Sequence, residues 1–225
     1  MVKILEYFRR KVFWTKDYFS GSTVTAHLKE IRLILDNALP EESRQLIDQH
    51  LSRLLIHAEN HVAYYKSVNG VKDLTNFPVV NKQIIKTQRE KFLSDDHMSR
   101  KISTVTTSGS TGTPFETFQD RNKKRRNTSD TIYFAARAGY KIGQRLIYMK
   151  IWVQQKMQSN WKYRMQNIVP VDVIRLNDAQ IALLLENMKK DRSVIGILGY
   201  ASALELMCKY LDNHPECIVK KNVRS

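Results

Sequence analysis

The sequence has 225 residues, of which 42% are hydrophobic and 26% are charged, a balance that allows one sizeable core and excludes an intrinsically disordered chain. Its 37 lysine and arginine residues against 22 acidic ones give a formal net charge of +15, which favours anionic partners such as nucleotides, nucleic acid or an acidic membrane surface. No apolar run reaches the roughly 18–20 residues of a membrane span, and no cysteine spacing is typical of a zinc site, so we expect a protein of the reducing cytoplasm.

The first 20 residues are basic and aromatic, and they predict a helix. Ile4, Phe8, Val12 and, less closely, Tyr18 share one side of such a helix. The favoured interpretation is that this side packs on the protein's own core. The alternative is that it lies at the interface of an anionic membrane, which would add a peripheral membrane contact to the cytoplasmic location.

Three further helices are predicted in the N-terminal half, over residues 23–39, 40–66 and 81–92. The second has the clearest start, because Pro40 is followed by two glutamates at the positive end of the helix dipole. The third begins after Asn81, whose side chain can cap it.

The C-terminal half alternates strands with helices. A helix over residues 120–138 starts at a capping aspartate and ends at Gly139. The first turns of this helix contain a cluster of basic residues: Arg121, Lys123, Lys124, Arg125 and Arg126. We expect this cluster to form a solvated helix face and not a nucleic-acid-binding patch, because no aromatic residues lie between the basic ones. The elements predicted after it are a strand at 146–153, a polar loop to Pro170, a strand at 171–176, a helix at 178–189, a strand at 193–198, a helix at 201–211 with Cys208 buried, and an extended end near 218–219. Strands that alternate with helices indicate a mostly parallel α/β sheet.

Residues 104–115 form the densest group of hydroxyls and glycines in the chain. Glycine lets backbone amides approach a bound anion, and short hydroxyls add donors without filling the space that a phosphate needs. No lysine follows Gly112, so the loop is not a Walker motif. Its β-branched flanks predict a hairpin with the loop at the tip, against the alternative of a merely solvated turn. The candidate phosphate-binding residues are Thr107, Ser108, Gly109, Ser110, Thr111, Gly112 and Thr113.

Other chemistry-bearing groups are sparse. His57 and His61 lie four residues apart, but no third ligand accompanies them, so no metal site is assigned. The two carboxylates at residues 95–96 are expected to solvate a polar connection. No serine lies in a nucleophile elbow, and no catalytic residue is assigned.

Four segments, in order along the chain, resemble one family. Residues 108–114 are similar to the phosphate-binding signature of the AMP-forming adenylating enzymes, above all phenylacetate–coenzyme A ligase and the capsular-polysaccharide biosynthesis (CapK-like) proteins. Residues 77–82 resemble that family's entry to a helix, residues 138–145 its Gly-aromatic turn, and residues 199–206 its Gly-Tyr-Pro-Ser segment. There are three departures: Thr113 stands where the wider superfamily often has Lys, Gln144 replaces the family's usual Asp, and Ala201 replaces its usual Pro.

The resemblance implies an α/β fold in which a helical N-terminal region, residues 1–98, precedes part of an adenylate-forming domain, residues 99–225. It implies ATP-dependent activation of a small-molecule carboxylate through an acyl-adenylate, with Mg²⁺ beside the ATP phosphates, coenzyme A as an acceptor, and a role in capsular or surface polysaccharide synthesis. It covers about the N-terminal half of such an enzyme. We therefore expect the missing half, or another chain, as a partner, and no ligase activity from this chain alone.

Two other functions stay open. The chain could be a catalytically inactive module that binds a nucleotide or another anion. It could also bind nucleic acid through its positive charge, which a steep fall of affinity with salt and no effect of ATP would indicate. The second of these is the weaker, since the basic cluster lacks stacking partners.

Overall fold

The computed structural model describes residues 2–36, 40–68, 73–96, 102–106, 115–152, 160–219 and 223–224. The chain forms two compact units. We call Thr23–Asp130 the helical unit, and Met1–Ser22 together with Thr131–Ser225 the sheet unit. The expected domain boundary after residue 98 stays a prediction. Within the described ranges, no helix is long and apolar enough to cross a bilayer.

Helices occupy most of the N-terminal half, and strands enter from residue 103 onward. The helices are α1 (Val2–Phe19), α2 (Thr23–Leu35), α3 (Pro40–His61), α4 (Lys82–Thr87), α5 (Arg121–Arg137), α6 (Asn160–Gln166), α7 (Asp178–Lys190) and α8 (Ala201–Asn213). The strands are β1 (Ser103–Thr106), β2 (Glu116–Gln119), β3 (Arg145–Lys150), β4 (Ile168–Asp172), β5 (Ile195–Gly199) and β6 (Val223–Arg224).

In the helical unit, α2 packs against the first turns of α5. The hydroxyl of Ser129, which is fully buried, donates to the carbonyl oxygen of Val24 at 2.9 Å. Arg126 forms an ion pair with Glu30, and Arg125 donates to the hydroxyl of Thr23 at 2.6 Å. The prediction that the basic residues in the first turns of α5 form a solvated face is therefore wrong for Arg125 and Arg126. Their partners in α2 are about 100 residues earlier in the chain, so the local sequence pattern does not reveal them.

Helix α3 starts at Pro40 as predicted but ends at His61 rather than near residue 66, and a short 3-10 helix, Ala63–Tyr65, follows it. Helix α4 starts after Asn81, whose side-chain oxygen accepts from the amide of Ile84 at 2.9 Å. The predicted cap is confirmed. The helix is shorter than expected, since it stops at Thr87 and a 3-10 turn, Arg89–Phe92, completes the segment.

The sheet unit is built on a parallel sheet with strand order β4-β3-β5-β6. One face is covered by α7 and α8, and the core there consists of apolar side chains from both helices and both central strands. They are Ile147, Met149, Ile181, Leu185, Met188, Ile195, Ala203 and Met207. The protein has a helical N-terminal region, an antiparallel β1-β2 pair and this parallel sheet. The predicted α/β fold class is therefore confirmed.

Local differences from prediction have tertiary causes. Strand β4 begins at Ile168 and includes Pro170, which the sequence placed in a loop. Because β4 lies at the edge of the sheet, the missing N–H of Pro170 is tolerated. Helix α6 also falls in that predicted loop. Cys208 is exposed rather than buried, since Ala203 and Met207 define the inward side of α8 and the next residue turns away from it.

Helix α1 is attached to the turn that precedes β3. The guanidinium Nε of Arg10 donates to the carbonyl oxygen of Ile142 at 3.1 Å. The buried residues of α1 are Glu6 and Asp17, at 5% and 6% exposure. The favoured interpretation, that Ile4 and Phe8 pack on the protein's own core, is wrong for these two residues, which are 71% and 62% exposed.

Candidate functional site

The predicted phosphate-binding residues 107–113 lie outside the described residues, but the strands on both sides of them are described. β1 and β2 pair antiparallel in the register Ser103↔Gln119 through Thr106↔Glu116. Residues 107–115 therefore connect the paired ends of two adjacent strands. The predicted hairpin is confirmed at its base, and the assignment of the loop to phosphate remains a prediction.

An acidic side chain at the base of the hairpin, Glu116, is paired with a basic side chain from the preceding 3-10 turn, Arg89. The carboxylate of Glu116, directly beside the start of the loop, forms a 3.0 Å ion pair with Arg89. The guanidinium of Arg89 also lies over the ring of Phe118, 5.1 Å from its centre. Arg89 thus offsets a negative charge that would otherwise repel an anion at this end of the hairpin. Sequence reasoning missed this pair, because the two residues are 27 positions apart.

The Gly-aromatic turn at residues 138–145 leads into the central strand β3. Gly139 and Gly143 have positive φ values of 85° and 93°. The side-chain oxygen of Gln144 accepts from the amide of Lys141 at 2.7 Å, so a glutamine performs the capping that an aspartate could perform there. The hydroxyl of Tyr140 donates to the carbonyl oxygen of Gln144 at 3.2 Å. Burial, with a smaller effect from the charge of Glu6, raises the pKa of Tyr140 to about 12.

The strand order creates a second candidate site at the carboxyl ends of β3 and β5. From β3 the chain goes outward to β4, and from β5 it goes to β6 on the opposite side. Adjacent parallel strands whose connections leave in opposite directions open a crevice at their carboxyl ends, which is where ligands of open α/β sheets bind. We call this place the β3–β5 crevice. Lys150 ends β3, Trp152 follows it by two residues and Tyr200 follows β5 directly, so all three lie at this edge of the sheet.

The border of the crevice is aromatic and cationic. The ammonium of Lys150 lies 4.7 Å from the ring centre of Tyr148 and 4.2 Å from that of Trp152. Trp152 is held by an indole N–H bond of 3.0 Å to the carbonyl oxygen of Val171 and by an edge-on contact with Tyr163. Among the described residues, no carboxylate forms a salt bridge with Lys150. Such a cation beside planar apolar surfaces suits a ligand that combines an anionic group with an apolar body.

Tyr200 lies near enough to Tyr148 to affect the pKa of its hydroxyl. Burial first, and then the neighbouring Tyr200, raises the pKa of Tyr148. Tyr148 therefore stays a neutral hydroxyl at physiological pH and can donate a hydrogen bond. Gly199 is needed beside this pair, because a Cβ there would lie 2.9 Å from the Cβ of Met149. Sequence reasoning identified the segment that begins with Gly199 but not Tyr148, Lys150 or Trp152, since the crevice depends on strand order.

Two histidines of α3, His57 and His61, make hydrogen bonds to residues 94 and 95. Nδ1 of His61 lies 2.7 Å from the carboxylate of Asp95, and Nε2 of His57 lies 3.2 Å from the hydroxyl of Ser94. That hydroxyl donates to Asp96 at 2.6 Å. In the ranges that the structure covers, no three His, Cys, Asp or Glu side chains are grouped as metal ligands. These contacts tie the end of α3 to the segment after the 3-10 turn.

Comparisons with known proteins bear on the fold. No family model matches the chain, and no curated protein matches it. A solved structure of 2-hydroxyisobutyryl-CoA ligase, an open conformation in complex with 2-HIB-AMP and CoA, is similar to it with a TM-score of 0.53 and 15% sequence identity. The likeness covers 78% of this chain and 44% of that protein, so the chain spans less than half the length of the ligase. At this identity the likeness shows the fold alone, and the chain has an α/β fold that also occurs in part of an acyl-CoA ligase.

Proposed function

We propose that the chain is part of an AMP-forming ligase-like protein that activates a small-molecule carboxylate with ATP. The observation that carries the proposal is the β1-β2 hairpin, which brings the two ends of the Ser/Thr/Gly segment together as a phosphate-binding loop requires. The shared fold with an acyl-CoA ligase, a protein seen with an acyl-AMP and CoA, supports the same class of reaction.

In the proposed reaction, a carboxylate oxygen of the substrate attacks the α-phosphorus of ATP. The bond between the α-phosphorus and the bridging oxygen breaks, pyrophosphate leaves, and an acyl-adenylate forms. A thiol, such as that of coenzyme A, then gives up its proton to solvent and attacks the acyl carbon as the thiolate, and AMP leaves with the electron pair of the broken C–O bond. Both steps depend mainly on holding the reactants and neutralising phosphate charge.

We assign the β- and γ-phosphates to the backbone amides and hydroxyls of residues 107–113. The glycines leave room for a phosphate, and the hydroxyls donate hydrogen bonds to it. Thr113 stands where related loops often have Lys, so cationic support has to come from elsewhere, and Arg89 at the hairpin base is a candidate. Mg²⁺ would neutralise further phosphate charge, and we assign none of the described residues to it.

We assign the organic part of the carboxylate substrate to the β3–β5 crevice. Its rings can pack on an apolar acyl group, and the ammonium of Lys150 attracts acids to it. The finer placement in the phenylacetate–coenzyme A ligase and CapK-like family, and a role in capsular or surface polysaccharide synthesis, rests on the four sequence segments. We propose both on that basis.

A second candidate function is a nucleotide- or anion-binding module without ligase activity. The threonine at position 113 favours it, because one phosphate-facing charge is absent. This candidate keeps the loop assignment and omits the transfer of the acyl group. Nucleic-acid binding is weaker still, since Arg125 and Arg126 are engaged by α2.

The test is ATP binding by calorimetry together with carboxylate-dependent exchange of labelled pyrophosphate into ATP. The variant is Gly112→Asp, which adds a side chain and a negative charge to the loop. Its matched control is Gly21→Asp, where no atom lies within 4 Å of an added Cβ. Because Gly21 has a φ of 90°, thermal denaturation should show that both variants are folded. We expect ATP binding by the parent and the control and at least a tenfold loss in Gly112→Asp.

The exchange assay can separate the two candidate functions in one direction. Exchange that Gly112→Asp removes supports the ligase, whereas ATP binding without exchange by the 225-residue chain fits both the binding module and a part of a ligase that is inactive on its own. ATP affinity that is absent from the parent, or equal in the parent and Gly112→Asp, contradicts the loop assignment and with it the proposal.

A further inference from the structure

Helix α1 presents an apolar surface to solvent. We call the side chains of Ile4, Leu5, Phe8, Val12 and Phe19 the α1 apolar face. All five are exposed, by 44% for Val12 and up to 82% for Phe19. They lie at helical spacings of three, four and seven residues, so they form one continuous stripe and not scattered contacts.

The orientation of the helix is fixed from its other side. Glu6 and Asp17 point inward and are buried. Arg10 donates to the carbonyl oxygen of Ile142, and Gly143 packs against the backbone of Glu6. These polar and backbone contacts lie on the side of α1 that packs on the rest of the sheet unit. The α1 apolar face is on the opposite side of the helix and points away from those contacts. The usual arrangement of a surface helix is reversed.

The charges around the α1 apolar face all have one sign. Glu6 and Asp17 are the only acids of α1, and both are buried. Lys3, Lys11 and Lys16 are exposed, and Lys11 lies beside the ring of Tyr7, 5.4 Å from its centre. The outward surface of α1 is therefore apolar in the middle and purely cationic at its margins.

We propose that the α1 apolar face docks in the plane of an anionic lipid surface. Apolar side chains would enter the boundary between headgroups and acyl chains, and the lysines would meet the lipid phosphates. The aliphatic stems of lysine and the rings of tyrosine suit that boundary, since each has an apolar body and a polar end. A second copy of this chain is a poorer occupant, because a symmetric contact would set the same lysines against each other.

The experiment is co-sedimentation of the 225-residue chain with vesicles of phosphatidylcholine alone, or of phosphatidylcholine mixed with phosphatidylglycerol, at low and high salt. Deleting α1 would also remove the contacts of Glu6 and Arg10, so substitutions at exposed positions are preferable. The apolar variant is Ile4→Ser with Phe8→Ser and Val12→Ser. Its matched control is Ile174→Ser with Leu183→Ser, two exposed apolar residues of the same unit.

We expect binding to the anionic vesicles, weakened by salt, and binding to phosphatidylcholine at least tenfold weaker. The apolar variant should lose more than about 30-fold in affinity, since three apolar side chains no longer enter the lipid. Lys11→Gln and Lys16→Gln should each lose about fivefold. The control pair should bind like the parent, and thermal denaturation should show that every variant is folded.

Three outcomes would overturn the proposal. They are equal binding of the parent and the apolar variant, equal binding to both kinds of vesicle, and no vesicle binding at all. In the last case, self-association of the parent in light scattering that the apolar variant lacks would identify a second copy as the occupant. ATP binding by the apolar variant, measured in parallel, should equal that of the parent, so this test and that of the proposed function fail independently.

Discussion

Gly143 packs directly against the backbone of Glu6 in α1. A Cβ at position 143 would overlap the carbonyl oxygen of Glu6 and would lie 3.2 Å from the amide nitrogen of Arg10. Gly143 also has a φ of 93°, a conformation that side chains with a Cβ disfavour. This one glycine therefore allows both the turn into β3 and the close approach of α1.

We predict that Gly143→Ala lowers the free energy of unfolding by about 3 kcal/mol or more, of which roughly 1–2 kcal/mol comes from the positive φ. Gly21→Ala is the matched control, because Gly21 has a φ of 90° and no atom within 4 Å of an added Cβ. Urea denaturation measures both. Equal losses in the two variants would show that the packing against α1 contributes nothing.

Asn167 also stabilises the turn at Gly143. It has two roles that mutations can separate: its side chain makes a hydrogen bond, and its backbone has a left-handed conformation. It is buried with a φ of 60°, and its side-chain amide donates to the carbonyl oxygen of Gly143 at 3.0 Å. We predict that Asn167→Gly costs about 1–3 kcal/mol, the cost of an unsatisfied buried acceptor. Asn167→Ala should cost about 1 kcal/mol more, because alanine also disfavours the left-handed conformation. If the alanine variant is the more stable of the two in urea, the backbone at position 167 does not have the conformation described.

The raised pKa of Tyr140 predicts that the protein loses stability at alkaline pH. The folded-state pKa is about 12, above the value of 10.0 for a free tyrosine. Between these values the unfolded chain has released the proton and the folded chain has not, so the stability that is fully present below pH 10 is lost as pH rises towards 12. The loss is at most about 1.4 kcal/mol for each pH unit.

The check on Tyr140 is urea denaturation of the parent and Tyr140→Phe between pH 7 and alkaline pH. The variant should be about 1 kcal/mol less stable than the parent at neutral pH, because it lacks the hydrogen bond to Gln144. Above pH 10 this difference should shrink. Parallel stability curves for the two proteins would contradict the prediction.

Arg89 and Glu116 should have opposite effects on nucleotide affinity. Glu116→Gln removes a negative charge beside the loop and should strengthen ATP binding about threefold, while Arg89→Met exposes that charge and should weaken it by about the same factor. The double variant should lie near the parent. Calorimetry at low salt gives the clearest measurement, since salt screens exposed charges. Changes of the same sign in both single variants would exclude this electrostatic role.

Sequence predicted the features that depend on neighbouring residues. The caps of Asn81 and Asp120 were found because capping involves residues two or three positions apart. The hairpin was found because β-branched flanks alternate on either side of a glycine-containing loop. Within the sheet unit, α7 and α8 followed from helical periodicity.

Features that depend on distant residues were missed. The outward direction of Phe8 follows from the contacts of Glu6 and Arg10 with residues more than 130 positions later. The β3–β5 crevice exists only because β5 lies beside β3 and not beside β4, which no local pattern specifies. Pro170 was assigned to the end of a polar loop, and its position in an edge strand, which permits a proline in β4, depends on the strand order.

The bond from Arg10 to Ile142 spans 132 positions of the chain and affects the order of folding during synthesis. At about 5–20 residues per second, the ribosome adds Ile142 on the order of 10 s after Arg10. A helix forms in about a microsecond, but an isolated helix of 18 residues has only marginal stability in water, so α1 is without its partners for that whole interval. All of Thr23–Asp130 emerges within the interval. The helical unit can therefore finish folding before the sheet unit, even though α1, which belongs to the sheet unit, precedes it in the chain.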